Sequence, residues 1–164
     1  MLALPGAAWA GFRAPEPQVR TLGFQNLHTG ESLNTTYYEA NGYIRGALQD
    51  INYILRDFRA NEIKPIDTRL LDLLVQLRGR LETSAPFEVI SGYRSAKTNA
   101  MLHAHSEGVA VHSLHIDGRA IDIRVANRDL QAVRNAALSL QSGGVGYYPR
   151  SDFVHVDTGR VRFW

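Results

Sequence analysis

The chain contains no cysteine, which excludes disulfide bonds, cysteine-ligated zinc sites and thiol catalysis. It also has no apolar run long enough to cross a membrane and no cluster of lysine and arginine. The formal net charge at pH 7 is only +2. We therefore expect neither a transmembrane segment nor a nucleic-acid partner.

The N-terminus is rich in small residues but lacks the basic segment with which a complete signal peptide begins. Ala8-Trp9-Ala10 resembles the A-x-A site at which such peptides are cleaved. Residues 1–19 are interpreted as a leader remnant or a disordered N-terminus. The first interpretation is favoured and predicts a periplasmic or otherwise exported protein. Residues 20–164 suffice for a single domain, which we expect to be monomeric.

Apolar residues recur with two different periods along the chain, which predicts both strands and helices. The predicted strands cover 20–27, 32–38, 87–91, 120–125, 144–148, 153–157 and 160–164. Helices are predicted from Gly42 onward, with apolar positions from Ile44 to Phe58, after a cap at Asp67, after a cap at Ser95, and from Asn127 or Asp129 to Leu140. This order predicts an α+β fold with a mainly antiparallel sheet and flanking helices.

Two short motifs carry side chains suited to a metal ion. The first is His115 followed by Asp122, and the second is Asp152 followed by His155. Two imidazoles and one carboxylate make up the three protein ligands of a catalytic zinc site, whose fourth position stays open. The carboxylate of the two motifs that is not a ligand is suited to act as a general base. A single histidine is usually an ordinary surface or core residue, but here two motifs agree.

Strand alternation is consistent with this interpretation. It places Asp122 on the face opposite Ile121 and Ile123, and His155 on the face opposite Val154. Gly118 permits a tight turn that folds His115 back toward Asp122. Two such strands can therefore hold one ion between them.

The motif Ser113-x-His115-x-x-Gly118-x-Ala120-x-Asp122, followed by Asp152-x-x-His155, resembles the LAS-type zinc peptidases. Five further segments resemble the MepK-like (YcbK-like) murein endopeptidase branch of that group, and the resemblance covers almost all of the chain beyond residue 20. Those segments are Thr29–Ser32, Lys64–Asp67, Ser91–Ser95, Asn99–Leu102 and Gly144–Pro149.

The resemblance implies roles for individual residues and a LAS/Hedgehog-type D-Ala-D-Ala peptidase-like fold. It assigns His115, Asp122 and His155 as zinc ligands, Asp152 as the general base, and Arg94 as the group that stabilises the developing oxyanion. Zn²⁺ is the implied cofactor. The implied substrates are peptidoglycan peptides, cleaved at their cross-links.

The chain departs from many of its relatives at one position, because Asp157 stands where they carry a second histidine. Asp152 cannot share a strand face with His155 and must lie in a turn or a bulge. Asp157 has the correct parity and is the rival general base, and Glu107 is a weaker candidate. Trp164 is expected to close the core.

Two other functions remain open from the sequence. One is a murein carboxypeptidase, which would trim peptides rather than cut cross-links. The other is a non-catalytic module in which zinc stabilises a fold that binds peptidoglycan. The ligand set argues against the second, because structural zinc sites usually have four protein ligands.

Overall fold

The computed structural model describes residues 19–40, 42–105 and 110–164. The strands in these ranges are β1 (Arg20–Asn26), β2 (Ser32–Glu39), β3 (Gly42–Tyr43), β4 (Phe87–Ser91), β5 (Ala120–Arg124), β6 (Gly144–Tyr148), β7 (Phe153–Asp157) and β8 (Arg162–Phe163). The helices are α1 (Arg45–Ile54), α2 (Thr68–Arg80), α3 (Ala96–His105), α4 (Leu130–Leu140) and a 3₁₀ helix (Leu114–Asp117). The predicted leader and Glu107 lie outside the described residues.

The strands form one sheet in the order β3-β2-β1-β4-β5-β7-β6-β8. Its β1/β4 and β6/β8 pairs are parallel, and the other pairs are antiparallel. The predicted α+β class is thus confirmed. The sheet is mixed, because it contains both parallel and antiparallel pairs of strands. Neither parallel pair joins strands that are consecutive in sequence, since β2, β3 and two helices lie between β1 and β4 and β7 lies between β6 and β8, so local turn signals do not reveal them.

Helices α2 and α4 pack together on the sheet and bury its apolar face. Residues of β1, β5 and β7 contribute Leu22, Ile121 and Val154 to the core, and each is 0% exposed. Leu74 of α2 and Val133 of α4 meet them from the helical side. The alternation predicted for β5 and β7 therefore places their apolar side chains in the core, as expected. The opposite face of these strands carries polar side chains.

Helix caps explain where two helices begin. The Asp67 side chain accepts a hydrogen bond from Arg69 N at the start of α2, as the sequence predicts. The start of α4 has two candidate caps in the sequence, and Asp129 fills the position by accepting from Ala132 N at 2.7 Å.

Helix α1 ends earlier than its apolar spacing predicts. It stops at Ile54, although Leu55 and Phe58 continue the periodic pattern. Leu55 is buried in the core, and the Phe58 ring stacks on His28 at 4.4 Å. Both side chains therefore pack against other residues although their own backbone is not helical. The Leu55 carbonyl accepts a hydrogen bond from Tyr93 N. This contact joins the end of α1 to the loop that carries Arg94.

Within residues 19–40, 42–105 and 110–164, none of the helices combines the length and apolarity needed to cross a membrane.

Candidate metal centre

Two neighbouring strands bring the carboxylate of Asp122 beside the imidazole of His155. Strands β5 and β7 pair antiparallel, with Asp122 directly opposite His155 and Ile121 opposite Val156. Residues that face each other across an antiparallel pair project to the same side of the sheet. The polar faces predicted for the two strands therefore coincide.

A tight turn brings His115 to the same place. Ser113 caps the 3₁₀ helix, and Gly118 ends it with a φ of 66°, in the left-handed region that favours glycine. A Cβ at Gly118 would lie 2.6 Å from the Pro65 carbonyl oxygen, so a side chain would also displace the neighbouring loop. The glycine singled out in the sequence is thus required both by conformation and by space.

Three ligand atoms converge on one point. His115 Nε2 lies 3.2 Å from Asp122 Oδ1 and 3.2 Å from His155 Nδ1, and His155 Nδ1 lies 2.9 Å from Asp122 Oδ1. Ligands about 2.0–2.1 Å from a tetrahedral ion are separated by about 3.3 Å. The three residues are 2%, 5% and 8% exposed, so this is a buried and nearly preformed triangle. The donor set fits a divalent metal.

The second nitrogen of each imidazole has an acceptor, which fixes the ring and its tautomer. His115 Nδ1 lies 2.7 Å from the Gly92 carbonyl, which can only accept, so Nδ1 carries the hydrogen. His155 Nε2 donates to Asp157 Oδ2 at 3.0 Å. When both imidazoles are neutral, the two converging nitrogens therefore carry a free lone pair, as metal ligation requires.

The charges around the triangle favour a cation. Burial alone would raise the pKa of Asp122, but the nearby His115 and His155 hold it well below its usual range. Burial alone would lower the pKa of His155, but hydrogen bonds to Asp122 and Asp157 outweigh it and raise the pKa to about 9. For His115, burial is the largest influence, and its pKa is lowered. Positive charge is thus stabilised beside Asp122.

Arg94 lies next to this group and contacts the ligand carboxylate. Its Nη2 donates to Asp122 Oδ2 at 3.4 Å and to Ser91 Oγ at 3.3 Å, and its Nη1 donates to Asn99 Oδ1 at 3.3 Å. Arg94 is 8% exposed, and its Nε has no hydrogen-bond partner among the described residues. Burial lowers its pKa, although Asp122 opposes that shift. The structure therefore brings Arg94 together with the predicted ligands.

Asp152 does not join the group in this structure. It lies in the turn before β7 with a φ of 55°, as its strand parity requires, and its carboxylate contacts Arg124 Nη1 at 2.6 Å. The side chain is 61% exposed. Its neighbours Ser151 and Phe153 line the cavity beside the ligands. The general-base role of Asp152 remains a prediction.

Asp157 has the predicted strand parity, but its carboxylate is fully occupied. Oδ2 accepts from His155 Nε2 and from Arg162, and Oδ1 accepts from Arg162 and from the backbone N–H groups of Gly144 and Gly159. The residue is 0% exposed. A carboxylate with five donors and no access to solvent is suited to hold His155 in place rather than to exchange protons with substrate.

An aromatic wall completes a cavity of about 330 Å³ that the three ligands border. Tyr148 stacks on Phe153 at 4.6 Å and accepts from Trp164 Nε1 at 2.7 Å, and the Trp164 ring lies 5.3 Å from His155. The expectation that Trp164 closes the core is wrong, since it is 49% exposed. The position of the Trp164 ring depends on Gly146, because a Cβ added there would lie 2.8 Å from the indole.

The remaining histidines of the described region divide between surface and cavity. His103 and His105 are exposed on α3. His112 lines the cavity with Ser113 and Ala110, although no motif marked it as a site residue.

Comparison with known proteins gives the family. The family model described as peptidoglycan L,D-endopeptidase MepK matches residues 14–164. The peptidoglycan L,D-endopeptidase MepK of Escherichia coli (strain K12) is 49% identical over 161 residues, which cover 98% of this chain and 87% of that protein. A probable peptidoglycan L,D-endopeptidase MepK of Haemophilus influenzae is 44% identical over 162 residues, covering 98% and 86%. The chain therefore belongs to the MepK peptidoglycan L,D-endopeptidase family.

Proposed function

We propose that this protein is a zinc-dependent endopeptidase that hydrolyses an L,D peptide bond in the cross-links of peptidoglycan. One observation carries the proposal: His115, Asp122 and His155 form a buried ligand triangle at the edge of a cavity. The names of the relatives supply the substrate and the stereochemistry. Catalytic zinc sites differ from structural ones in having three protein ligands and an accessible fourth side.

Zinc is the metal that this donor set suits best. Imidazole nitrogens and one carboxylate oxygen, spaced for tetrahedral geometry, match its preferred ligands. When bound, such an ion supplies Lewis-acid polarisation of a carbonyl and activation of water at neutral pH. His115 Nε2, His155 Nδ1 and Asp122 Oδ1 would hold it, and Gly92 and Asp157 keep the two rings in orientation.

Arg94 supplies a fixed positive charge beside the cavity. Its guanidinium is buried and anchored by Ser91, Asn99 and Asp122, so little reorganisation is needed when charge develops on a peptide carbonyl. We assign Arg94 to stabilise the oxyanion of the tetrahedral intermediate.

Asp152 is proposed as the general base. It accepts a proton from the attacking water and delivers it to the leaving amine. Its carboxylate is solvent-accessible and lies in a short turn between two residues that line the cavity. Catalytic contacts often tighten only when substrate is bound.

The proposal is tested by digesting purified peptidoglycan and identifying the released muropeptides by mass spectrometry. We expect cross-linked dimers to be converted to monomers by cleavage of an L,D bond, and a chelator to stop the reaction. Release of single terminal residues from uncross-linked peptides would indicate a carboxypeptidase instead. Binding to peptidoglycan without any new peptide ends would indicate the non-catalytic module.

Replacing Arg94 should slow turnover strongly while leaving the metal site filled. Loss of one oxyanion donor typically costs on the order of 10²–10³ in kcat. We expect this loss in Arg94→Ala and only a small recovery in Arg94→Lys, because lysine lacks the planar fork. Steady-state kinetics and zinc analysis of both variants provide the measurement. Near-normal turnover in Arg94→Ala would remove this residue from the mechanism.

Replacing Asp157 should weaken metal binding rather than remove a proton acceptor. Loss of an outer partner of a metal-ligating histidine typically costs about 10–100-fold in metal affinity or activity. We expect such a decrease for Asp157→Ala in a competition titration with a chromogenic chelator. Asp117→Ala removes an exposed carboxylate two residues from His115 and serves as the control. Unchanged zinc affinity in Asp157→Ala would contradict the orienting role.

Three further expectations accompany the proposal. We propose that the sheet and its helices adopt the LAS/Hedgehog-type D-Ala-D-Ala peptidase-like fold, which membership of the family supports. We also propose that the protein is exported, which the small-residue N-terminus supports, and that it acts as a monomer. Fractionation of expressing cells and sedimentation of the purified protein test the last two.

A further inference from the structure

Asn99 is a buried polar residue that neither the metal site nor the general base accounts for. It lies in the first turn of α3 and is 2% exposed. Its side chain amide uses both ends. Oδ1 accepts from Arg94 Nη1 at 3.3 Å, and Nδ2 donates to the carbonyl oxygens of Ala110 at 3.1 Å and Val111 at 3.3 Å.

The two ends of this amide connect different parts of the site. Arg94 contacts the ligand carboxylate of Asp122, and Ala110 begins the segment that lines the cavity through His112 and Ser113. The segment 110–113 contains no helix or strand before the 3₁₀ helix, so its backbone is not held by regular hydrogen bonding. Asn99 is therefore a direct connection between the guanidinium and this wall of the cavity.

We propose that Asn99 is a positioning residue that holds Arg94 toward the reacting carbonyl and holds the backbone of Ala110 and Val111 as a wall of the substrate cavity. The inference rests on the proposed function, because it assigns a purpose to each end of the amide in peptide hydrolysis. An amide suits both tasks, since one end only accepts and the other only donates. A carboxylate has no hydrogen to donate, and a hydroxyl has a single hydrogen for the two carbonyl oxygens.

The two ends can be separated by substitution. Asn99→Ala removes both contacts, so Arg94 and the wall are released together. Asn99→Asp keeps an acceptor for Arg94, but it places a second oxygen against two carbonyl oxygens and so releases only the wall. Asn26→Ala is the matched control, because Asn26 is also a buried asparagine with three hydrogen bonds and lies away from the cavity lining.

We expect Asn99→Ala to lower kcat by about 10–100-fold, since small misplacement of a group at the reacting centre is costly. Zinc should remain bound at one ion per chain. Asn99→Asp should keep kcat within about threefold while KM rises roughly tenfold, the scale expected when the two hydrogen bonds to Ala110 and Val111 are lost. Asn26→Ala should lose stability alone, with kcat and KM unchanged. The kinetics use a soluble cross-linked muropeptide dimer.

Limited proteolysis provides a readout that does not depend on activity. Cleavage within residues 110–113 should be faster in both Asn99 variants than in Asn26→Ala, because the contacts that hold these carbonyl groups are lost. The inference is overturned if Asn99→Ala matches Asn26→Ala in kcat, or if Asn99→Asp loses kcat as fully as Asn99→Ala. Should Asn99→Asp not fold, unchanged cleavage at 110–113 in Asn99→Ala overturns the wall assignment. If the unmodified protein cuts no peptidoglycan, the proposed function fails, and the cleavage rate at 110–113 alone decides the role of Asn99.

Discussion

Asp122→Ala should abolish zinc binding and reduce peptidoglycan hydrolysis to background. Asp122 supplies the only anionic ligand of the triangle, and its Oδ1 lies within 3.2 Å of both imidazole ligand atoms. Removing the Asp122 carboxylate leaves only two neutral imidazole nitrogens to bind the ion. The buried positive charge of Arg94 then lies close to the site without a compensating negative charge, and it repels a metal cation. The effect should exceed the 10–100-fold that loss of an outer partner costs.

The result is interpretable only if the variant folds. Asp122→Asn keeps the shape of the side chain and serves as the companion variant, and near-ultraviolet circular dichroism checks the packing of both proteins. Asp117→Ala, an exposed substitution in the same segment, should bind zinc normally. Undiminished zinc in a folded Asp122→Ala protein would refute the ligand assignment.

Asp152→Ala should retain zinc and lose most hydrolysis. A positioned general base typically contributes about 10²–10⁴-fold. Because Asp152 is exposed and its carboxylate is paired with Arg124 alone among the described residues, its removal should cost little stability. The expected signature is therefore a large decrease in kcat with unchanged zinc content and an unchanged midpoint of denaturation.

Comparison with Asp157→Ala decides between the two carboxylates. If Asp152→Ala cuts normally and Asp157→Ala is inactive although it is loaded with zinc, Asp157 is the general base. Its role is then not limited to orienting His155. Arg124→Ala tests whether the ion pair with Asp152 matters for hydrolysis, since it frees the Asp152 carboxylate without removing it. Hydrolysis by Arg124→Ala should remain within about fivefold of the unmodified protein, because a lost exposed ion pair is worth only about 0–1 kcal/mol.

The part of the ligand triangle that joins His115 to Asp122 could be predicted because its information is local. The spacing from His115 to Asp122 includes the one residue, Gly118, whose backbone conformation lets the chain reverse. Strand alternation then gives the correct side for Asp122 and His155, which the register of β5 and β7 pairs directly. Period and turn chemistry suffice for such a site.

The parts that the sequence does not predict depend on contacts between distant segments. The Gly92 carbonyl orients His115 across a separation of 23 residues, and Tyr93 N reaches the Leu55 carbonyl at the end of α1. The parallel pairing of β1 with β4 likewise joins strands with two helices between them. Apolar periodicity also misplaces the end of α1, because Leu55 and Phe58 pack against other residues without being helical.

A zinc titration of chelator-treated protein, with hydrolysis of purified peptidoglycan measured at each step, shows directly whether the enzyme depends on this metal. We expect no release of muropeptides without metal, a rise in proportion to added zinc, and a plateau at one zinc per chain. Asp122→Ala should show no rise over the same range. Full hydrolysis by the metal-free protein, or an equal zinc-dependent rise in Asp122→Ala, would refute zinc catalysis at the His115, Asp122 and His155 site.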